Sequence, residues 1–510
     1  MPIASPAVAV TPLRLITYNI LADALCMTSK HSYCDAAERS WGDASAGRCQ
    51  RLLAEILSYD ADVVCLQECN TRCFDEFCCE MGDGTGGAPA ATSEERRIYA
   101  GFHHSSFLSS ASDAAAARES ETGLAVFVRS SAWRPAAIKA HRLGSLDDAH
   151  RHSGRLAQKL RDQSDSLLLL LLQHTASGAR VVIGNTHLHW DPRWPHLKAS
   201  QGELAARCLD EFASSTGRGT TAARRAGGRA GPVAAPSLLP SVVLAGDFNS
   251  VPVLQPSFLR AEAQAALPSP LPPSWQASAL YRLLSTGSVP PDHPEHPTAF
   301  EAKHDVQSSP VQSSQGKARQ GKASQGKAEP DVQAGGGAAA ASTGAAERHR
   351  KKRAKTAAAC KPPLGPLTTR LQLRDSHAHA LSAGPLPLTT HADDFAGCID
   401  YIFVSDCRGA AADGGMGSSA AAEAPPSSDC PVAALPAAAG MPSGGADLSS
   451  SGGADLSSSS RQRHPRVEVL EVLAMPYDLE RPGAFGKVPS AEWPSDHLCL
   501  GALLGIPQAE

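Results

Sequence analysis

The sequence predicts an α/β sandwich, and three observations carry that prediction. Short apolar runs recur along the chain, each the length of one strand. Stretches between them place apolar residues at helical spacing. Run after run then ends in a small group of polar side chains. Strands are predicted at 13–20, 62–66, 124–128, 167–172, 181–185, 242–245, 399–404 and 467–473. The run at 167–172, flanked by Asp165 and Gln173, is far shorter than the roughly 18 residues of a membrane span and reads as a buried strand. Helices are predicted at 47–57, where Leu52, Leu53, Ile56 and Leu57 share a face, and at 198–212. Mixed strands and helices of this kind pack as layers around one core.

The 510 residues would allow several domains, but much of the chain has no hydrophobic period. Insertions are predicted at about 82–93, 109–117, 216–236, 307–358 and 409–460. Gln-Gly-Lys-Ala recurs at Gln315, Gln320 and Gln325, and Gly-Gly-Ala-Asp-Leu-Ser-Ser-Ser is repeated from Gly444 and Gly452. Copies this polar cannot repay the entropy of ordering, so the composition predicts disorder there. Closure entropy grows only logarithmically with loop length, so one domain at 13–506 can carry these inserts.

Composition excludes several classes. Lys+Arg 47 against Asp+Glu 51 leaves a net charge of −4, so a polyanion must be met by a local patch or a metal. The 14 cysteines are dilute for a disulfide scaffold, and no basic region followed by an apolar one marks a secretory signal. No membrane association is expected, and the chain is read as intracellular and cytoplasmic. The basic run at 348–355, which holds Arg348, Lys351 and Lys355, adds a nuclear import or RNA-tether reading. Cys65, Cys69, Cys73, Cys78 and Cys79 lack the paired knuckle spacing of a zinc site and read as small buried hydrophobes.

The polar strand ends are of one chemical kind. Thr-Tyr-Asn-Ile-Leu places Asn19 after the first strand, and Leu-Gln-Glu places Glu68 after another. Asn-Thr-His-Leu presents Asn185 and His187. Gly-Asp-Phe-Asn-Ser presents Asp247 and Asn249, two apart and therefore on one face of an extended chain. Ile-Asp-Tyr-Ile-Phe puts Asp400 at a strand start, and Pro-Ser-Asp-His-Leu pairs Asp496 with His497. Carboxylate and amide oxygens are hard ligands suited to magnesium or manganese, and the histidines suit phosphate contact or proton transfer. Singly, each motif is also met as a solvated strand end, an Asx turn or a helix cap.

In this order the set resembles the endonuclease/exonuclease/phosphatase superfamily. Within it, the set is most similar to the deadenylase branch: carbon-catabolite-repressor-type poly(A) nucleases, nocturnin, Angel proteins and 2′,5′-phosphodiesterases. The resemblance implies a four-layer sandwich of two mixed β-sheets flanked by helices, interrupted by the insertions. It implies Mg²⁺ (or Mn²⁺) at Glu68, with Asn19 and Asp496 as the neighbouring metal-site residues. It also implies that Asp247 and Asn249 orient the attacking water and the phosphate, with Asp247 as base. His187 and His497, the latter held by Asp400, would contact the phosphate oxygens.

The resembling enzymes stack the terminal adenine between a proline and a phenylalanine, and Pro192 and Phe395 stand at the matching positions. The implied activity is a 3′–5′ exoribonuclease with poly(A) preference, whose partner is RNA with adenine-rich 3′ ends. Trp190 and Trp194 stand beside the same motif as further stacking candidates. A 2′,5′-oligoadenylate phosphodiesterase, a nocturnin-like 2′-phosphatase and an inactive binding relative are the competing readings. Twelve residues precede the first predicted strand, so no leucine-rich repeat for docking a deadenylation scaffold is expected.

Overall fold

A computed structural model describes residues 8–42, 47–82, 99–105, 122–146, 154–225, 239–259, 261–299, 365–380, 388–391, 395–406, 463–473 and 487–508. The first eight strands among them are β1 (Val10–Asn19), β2 (Val63–Gln67), β3 (Tyr99–Ser105), β4 (Gly123–Arg129), β5 (Trp133–Arg142), β6 (Ser166–His174), β7 (Arg180–His187) and β8 (Ser241–Asp247). Then follow β9 (Ser288–Val289), β10 (Leu367–Thr368), β11 (Leu373–Asp375), β12 (Thr390–His391), β13 (Ala396–Gly397), β14 (Asp400–Ser405), β15 (Glu468–Val472) and β16 (Leu500–Pro507).

They form two six-stranded mixed sheets, ordered β15-β16-β1-β2-β4-β3 and β11-β14-β8-β7-β6-β5, and two short ribbons. Each large sheet has one parallel pair near its centre: β1 with β2, and β7 with β8. Their other neighbouring strands are antiparallel.

The predicted run at 167–172 shows how the layers form. All six leucines are buried because they alternate between two cores. Leu168, Leu170 and Leu172 meet Leu13, Leu15 and Val63 between the two sheets. Leu167, Leu169 and Leu171 face outward against Leu197, Leu204 and Leu209 of the helix Pro195–Arg225. On the other sheet, Ile16, Tyr18, Val64 and Leu66 pack outward on Leu52, Leu53 and Ile56 of the helix Arg48–Ser58 and Phe77 of the helix Thr71–Met81. Helix, sheet, sheet and helix make four layers. Between the sheets a buried amide bridge, Gln67 Nε2 to Asn185 Oδ1 at 2.7 Å, ties β2 to β7. Asn185 also donates to Leu66 and Ala125, so this strand-end residue holds the sheets together under the site.

The structure adds elements that the pattern did not predict. β3 is half-exposed, β5 contains Pro135 and presents much of its length to solvent, and β16 is rich in glycine. β3 and β5 depart from the apolar run by which strands were sought and are sheet edges, where proline and polar residues belong, whereas β16 is a buried apolar run broken by two glycines. Of the clustered cysteines, Cys65 lies on β2 and Cys73, Cys78 and Cys79 on the helix Thr71–Met81; Cys65, Cys69 and Cys73 are buried, whereas Cys79 is exposed.

The helix predicted at 198–212 begins earlier, and it extends to Arg225. Residues 216–225, read as the start of an insertion, are therefore helical. A helix already nucleated needs no new nucleation to continue, so even this Gly- and Thr-containing stretch can propagate it. The remaining predicted insertions at 83–93, 109–117, 226–236, 307–358 and 409–460, and the basic run at 348–355, lie outside the described residues. No described helix is long and apolar enough to cross a membrane.

Candidate active site

Both parallel pairs point their C-terminal ends at one place. Asn19 ends β1 in register with Gln67, the residue before Glu68. His187 ends β7 in register with Asp247 at the end of β8, and Asp400 opens β14 opposite that same Asp247. Asp496 and His497 precede β16, which pairs with β1. Six chain segments, far apart in sequence, thus meet at a cleft of about 680 Å³.

Asp247 is the hub. Its Oδ2 accepts from Asn19 Nδ2 at 3.0 Å and from Asn249 Nδ2 at 3.3 Å. The same oxygen has His187 Nε2 at 3.5 Å and His497 Nε2 at 3.7 Å. Its Oδ1 accepts the Asn249 backbone N–H at 2.7 Å. Gly246 has φ 143°, and a Cβ there would lie 1.9 Å from the Thr186 carbonyl. Only glycine lets β7 and β8 come this close beneath the carboxylate.

Asn249 is a correction to the extended-chain expectation. Its φ is 51°, so it does not share a strand face with Asp247. The two close an Asx-type turn, and the Asn249 amide reaches back to Asp247 and to the Leu188 carbonyl. Asn and Asp tolerate this left-handed geometry because their side chains bond locally.

His497 Nδ1 lies 2.9 Å from Asp400 Oδ2. Burial disfavours the imidazolium, but Asp400, Asp247 and Asp496 outweigh it and hold His497 protonated well above the usual range. Burial and Asp247 push Asp400 up, to about 6, against the opposing pull of His497. Asp247, Asp400 and His497 are also a group whose possible metal-donor atoms all lie within 4.8 Å of one another. Their contacts to one another, however, make a hydrogen-bonded acid–base unit.

Glu68 sits at φ 58°, turned so that Oε2 accepts the Ala22 N–H at 2.8 Å and Oε1 accepts Asn19 Nδ2 at 3.1 Å. Asn19, expected beside the metal, spaces the Glu68 and Asp247 carboxylates with its NH₂ while its Oδ1 accepts from Leu21. That leaves Glu68 and Asp496 as the hard oxygen donors. Asp496 Oδ1 is buried without a hydrogen-bond partner, and burial together with the Glu68 charge raises its pKa. A buried carboxylate oxygen with no donor, facing a second carboxylate, fits a divalent cation.

Pro192 is exposed, Phe395 is half-buried, and both line the cleft. Gly397 makes room for the Phe395 ring, since a Cβ there would lie 2.7 Å from Cζ. Trp190 is exposed in the cleft, whereas Trp194 packs against the outer core under Lys159.

Three residues that sequence reasoning missed also belong to the site. His31 is buried with Nε2 3.8 Å from Asp496 Oδ2. Lys198 is buried and donates its Nζ to the Asn249 carbonyl. Burial lowers its pKa to about 8, against the pull of Asp247 and Glu295. Glu295 is buried, accepts the Ala279 N–H at 2.7 Å, and is raised to about 7 by burial. His31 closes the one-turn 3₁₀ helix Ser29–His31, Glu295 lies in a turn and Lys198 opened a predicted helix, so no strand-end signal marked any of the three.

Fold and site together define a two-sheet α/β protein with a carboxylate–histidine centre at its strand ends. Residues 16–497 match the model of the Endonuclease/Exonuclease/phosphatase family, and the chain belongs to that family. Among curated proteins it is 24% identical, over 241 residues, to the "CCR4-Not complex 3'-5'-exoribonuclease subunit Ccr4" of Yarrowia lipolytica; the match covers 46% of this chain and 32% of that protein. With the protein of the same name from Mycosarcoma maydis it shares 23% over 292 residues, 55% of this chain and 36% of the relative. The chain thus spans about a third of the length of these relatives. Among solved structures, ANGEL2, described as a 2′,3′-cyclic phosphatase, superposes with a TM-score of 0.51 at 16% identity. That superposition covers 98% of this chain and 96% of ANGEL2, and it supports the two-sheet fold.

Proposed function

We propose that this protein is a Mg²⁺-dependent 3′–5′ exoribonuclease that prefers adenine at the 3′ end of RNA. The observation that carries the chemistry is the crowding of Asn19, Asn249, His187 and His497 around one oxygen of Asp247. A carboxylate so placed holds an attacking water and accepts its proton. The protonated His497, oriented by Asp400, donates to a nonbridging phosphate oxygen as charge grows. His187, one-fifth exposed at the cleft, stands on the other side of the same oxygen for a second phosphate contact. Water attacks phosphorus, the P–O3′ bond breaks, and the leaving oxygen takes up a proton. Glu68 and Asp496 would hold a divalent cation, which would supply charge neutralisation at the phosphate and the leaving oxygen.

Pro192 and Phe395, both at the cleft, support adenine stacking, and the Ccr4 relatives named as 3′–5′ exoribonucleases support RNA as the polymer. The test is a substrate panel with Mg²⁺: 3′–5′ oligo(A), 2′–5′ oligo(A), oligo(U) and a 2′-phosphorylated dinucleotide. Release of 5′-AMP from 3′–5′ oligo(A), faster than 5′-UMP from oligo(U), is the expected result. Phe395→Ala should then narrow the gap between oligo(A) and oligo(U), about five- to 150-fold for one lost stacking face. Turnover of only the 2′–5′ linkage or of the 2′-phosphate would replace this reading.

A further inference from the structure

Most carboxylates and cations at the cleft are already committed. Glu68, Asp247 and Asp496 make the centre acidic, and Lys198, one of two lysines lining the cleft, is buried on Asn249. The other is Lys30. It is exposed on the short turn Ser29–His31, and its Nζ lies 5.3 Å above the ring of Trp190. Trp190 is 61% exposed, the most exposed of the described large hydrophobic residues, and it too lines the cleft. A large indole at the cleft offers a flat face on which a base can stack. Here the ring meets an ammonium, the pairing that reads a base by its face and a phosphate by its charge.

Position supports the same conclusion. Lys30 is next to His31, whose Nε2 lies 3.8 Å from Asp496 Oδ2, and it lines the same cleft as Asp496 and His497. Trp190 is two residues from Pro192, and two residues of chain span at most about 7 Å, a distance that one nucleotide step covers. We propose that Trp190 and Lys30 form a second nucleotide site, in which the indole stacks the base next to the terminal one and Lys30 meets the adjoining phosphate. This inference rests on the exoribonuclease reading and extends it: a strand is gripped on both sides of the bond that breaks.

The test uses the full chain with Mg²⁺ and two RNAs, oligo(A) and the same oligomer lacking only its penultimate base. Trp190→Ala should lower kcat/KM on intact oligo(A) about five- to 150-fold. It should leave the abasic RNA unaffected, and the native protein should lose a similar factor between the two RNAs. Trp190→Phe should restore much of the loss, because a ring remains. Lys30→Met should flatten the salt dependence of kcat/KM on both RNAs by about one phosphate contact, a slope change of roughly 0.7. Equal losses for Trp190→Ala on both RNAs, or an unchanged salt slope for Lys30→Met, would overturn the second site while leaving the exoribonuclease reading intact. If the native protein turns over neither RNA, that reading falls and the second site falls with it.

Discussion

His497 and Asp400 lie 97 residues apart in the chain and 2.9 Å apart in space, imidazole Nδ1 against carboxylate Oδ2. Both side chains are buried, and the bond leaves Nε2 of the ring directed at Asp247, 3.7 Å away. The pairing fixes which nitrogen faces the reaction and keeps the ring charged. Without Asp400, Asp247 and Asp496 alone would oppose the burial that favours the neutral imidazole, and the ring would lose its proton more readily.

Asp400→Asn should therefore lower kcat about 10²- to 10⁴-fold, the range of a lost general acid–base partner, with KM changed little. The alkaline limb of the pH–rate profile should move to lower pH, because the imidazolium now loses its proton earlier. A kcat drop with an unmoved alkaline limb would mean that Asp400 only positions the ring.

Glu68 and Asp496 should act together through a divalent cation. Excess chelator should abolish turnover, and Mg²⁺ or Mn²⁺ should restore it. Glu68→Gln should cost about a hundred-fold or more in kcat/KM, several kcal/mol of charge stabilisation. Circular dichroism should show the fold retained. Full activity in chelator would remove the cation from the mechanism.

Lys198 holds the turn that carries Asn249, through the Asn249 carbonyl. Lys198→Met keeps most of the buried stem and removes the ammonium. The expected loss is about tenfold or more in kcat, the cost of a hydrogen bond from a charged group, with thermal stability near that of the native protein. An unchanged kcat would show that Asp247 alone fixes the turn.

Glu295 makes a pH prediction for stability. Burial raises its pKa to about 7, against an ordinary value near 4.5. Between these values the folded chain keeps a proton that the unfolded chain releases, so stability falls as pH rises. The contribution is full below about 4.5 and is lost as pH climbs through 7, on the order of 3 kcal/mol in all. Urea unfolding at pH 5 and pH 7.5 should show native stability declining, and Glu295→Gln should remove most of that decline. A variant that keeps the native pH slope would place the titration elsewhere. Glu55, raised to about 7 by burial beside Tyr18, is the first alternative.

Two kinds of signal made the sequence legible. Apolar runs of strand length gave the buried strands of the two sheet interiors, because burial demands hydrophobic side chains whatever the partner, and they also marked the mostly exposed edge strand β15. Polar residues at the ends of those runs pointed to Asn19, Glu68, His187, Asp247, Asp400 and His497 as a set, because one such group is common at a solvated strand end whereas six of one chemical kind in this order are not. Edge strands such as β5 escaped, since an exposed face tolerates any polar residue.

The tertiary structure alone decided how those groups are used. The parallel pairing of β1 with β2 and of β7 with β8 brings four strand ends to one point, and no local pattern states which strands pair. The same pairing makes Asn19 a spacer between two carboxylates and bends Asn249 into a turn on Asp247. It also brings buried Lys198 and exposed Trp190 to the same cleft. Residue type is chosen by local burial and solvation, which a sequence records; distance across a fold is set by contacts hundreds of residues apart, which it records only through the packing they produce.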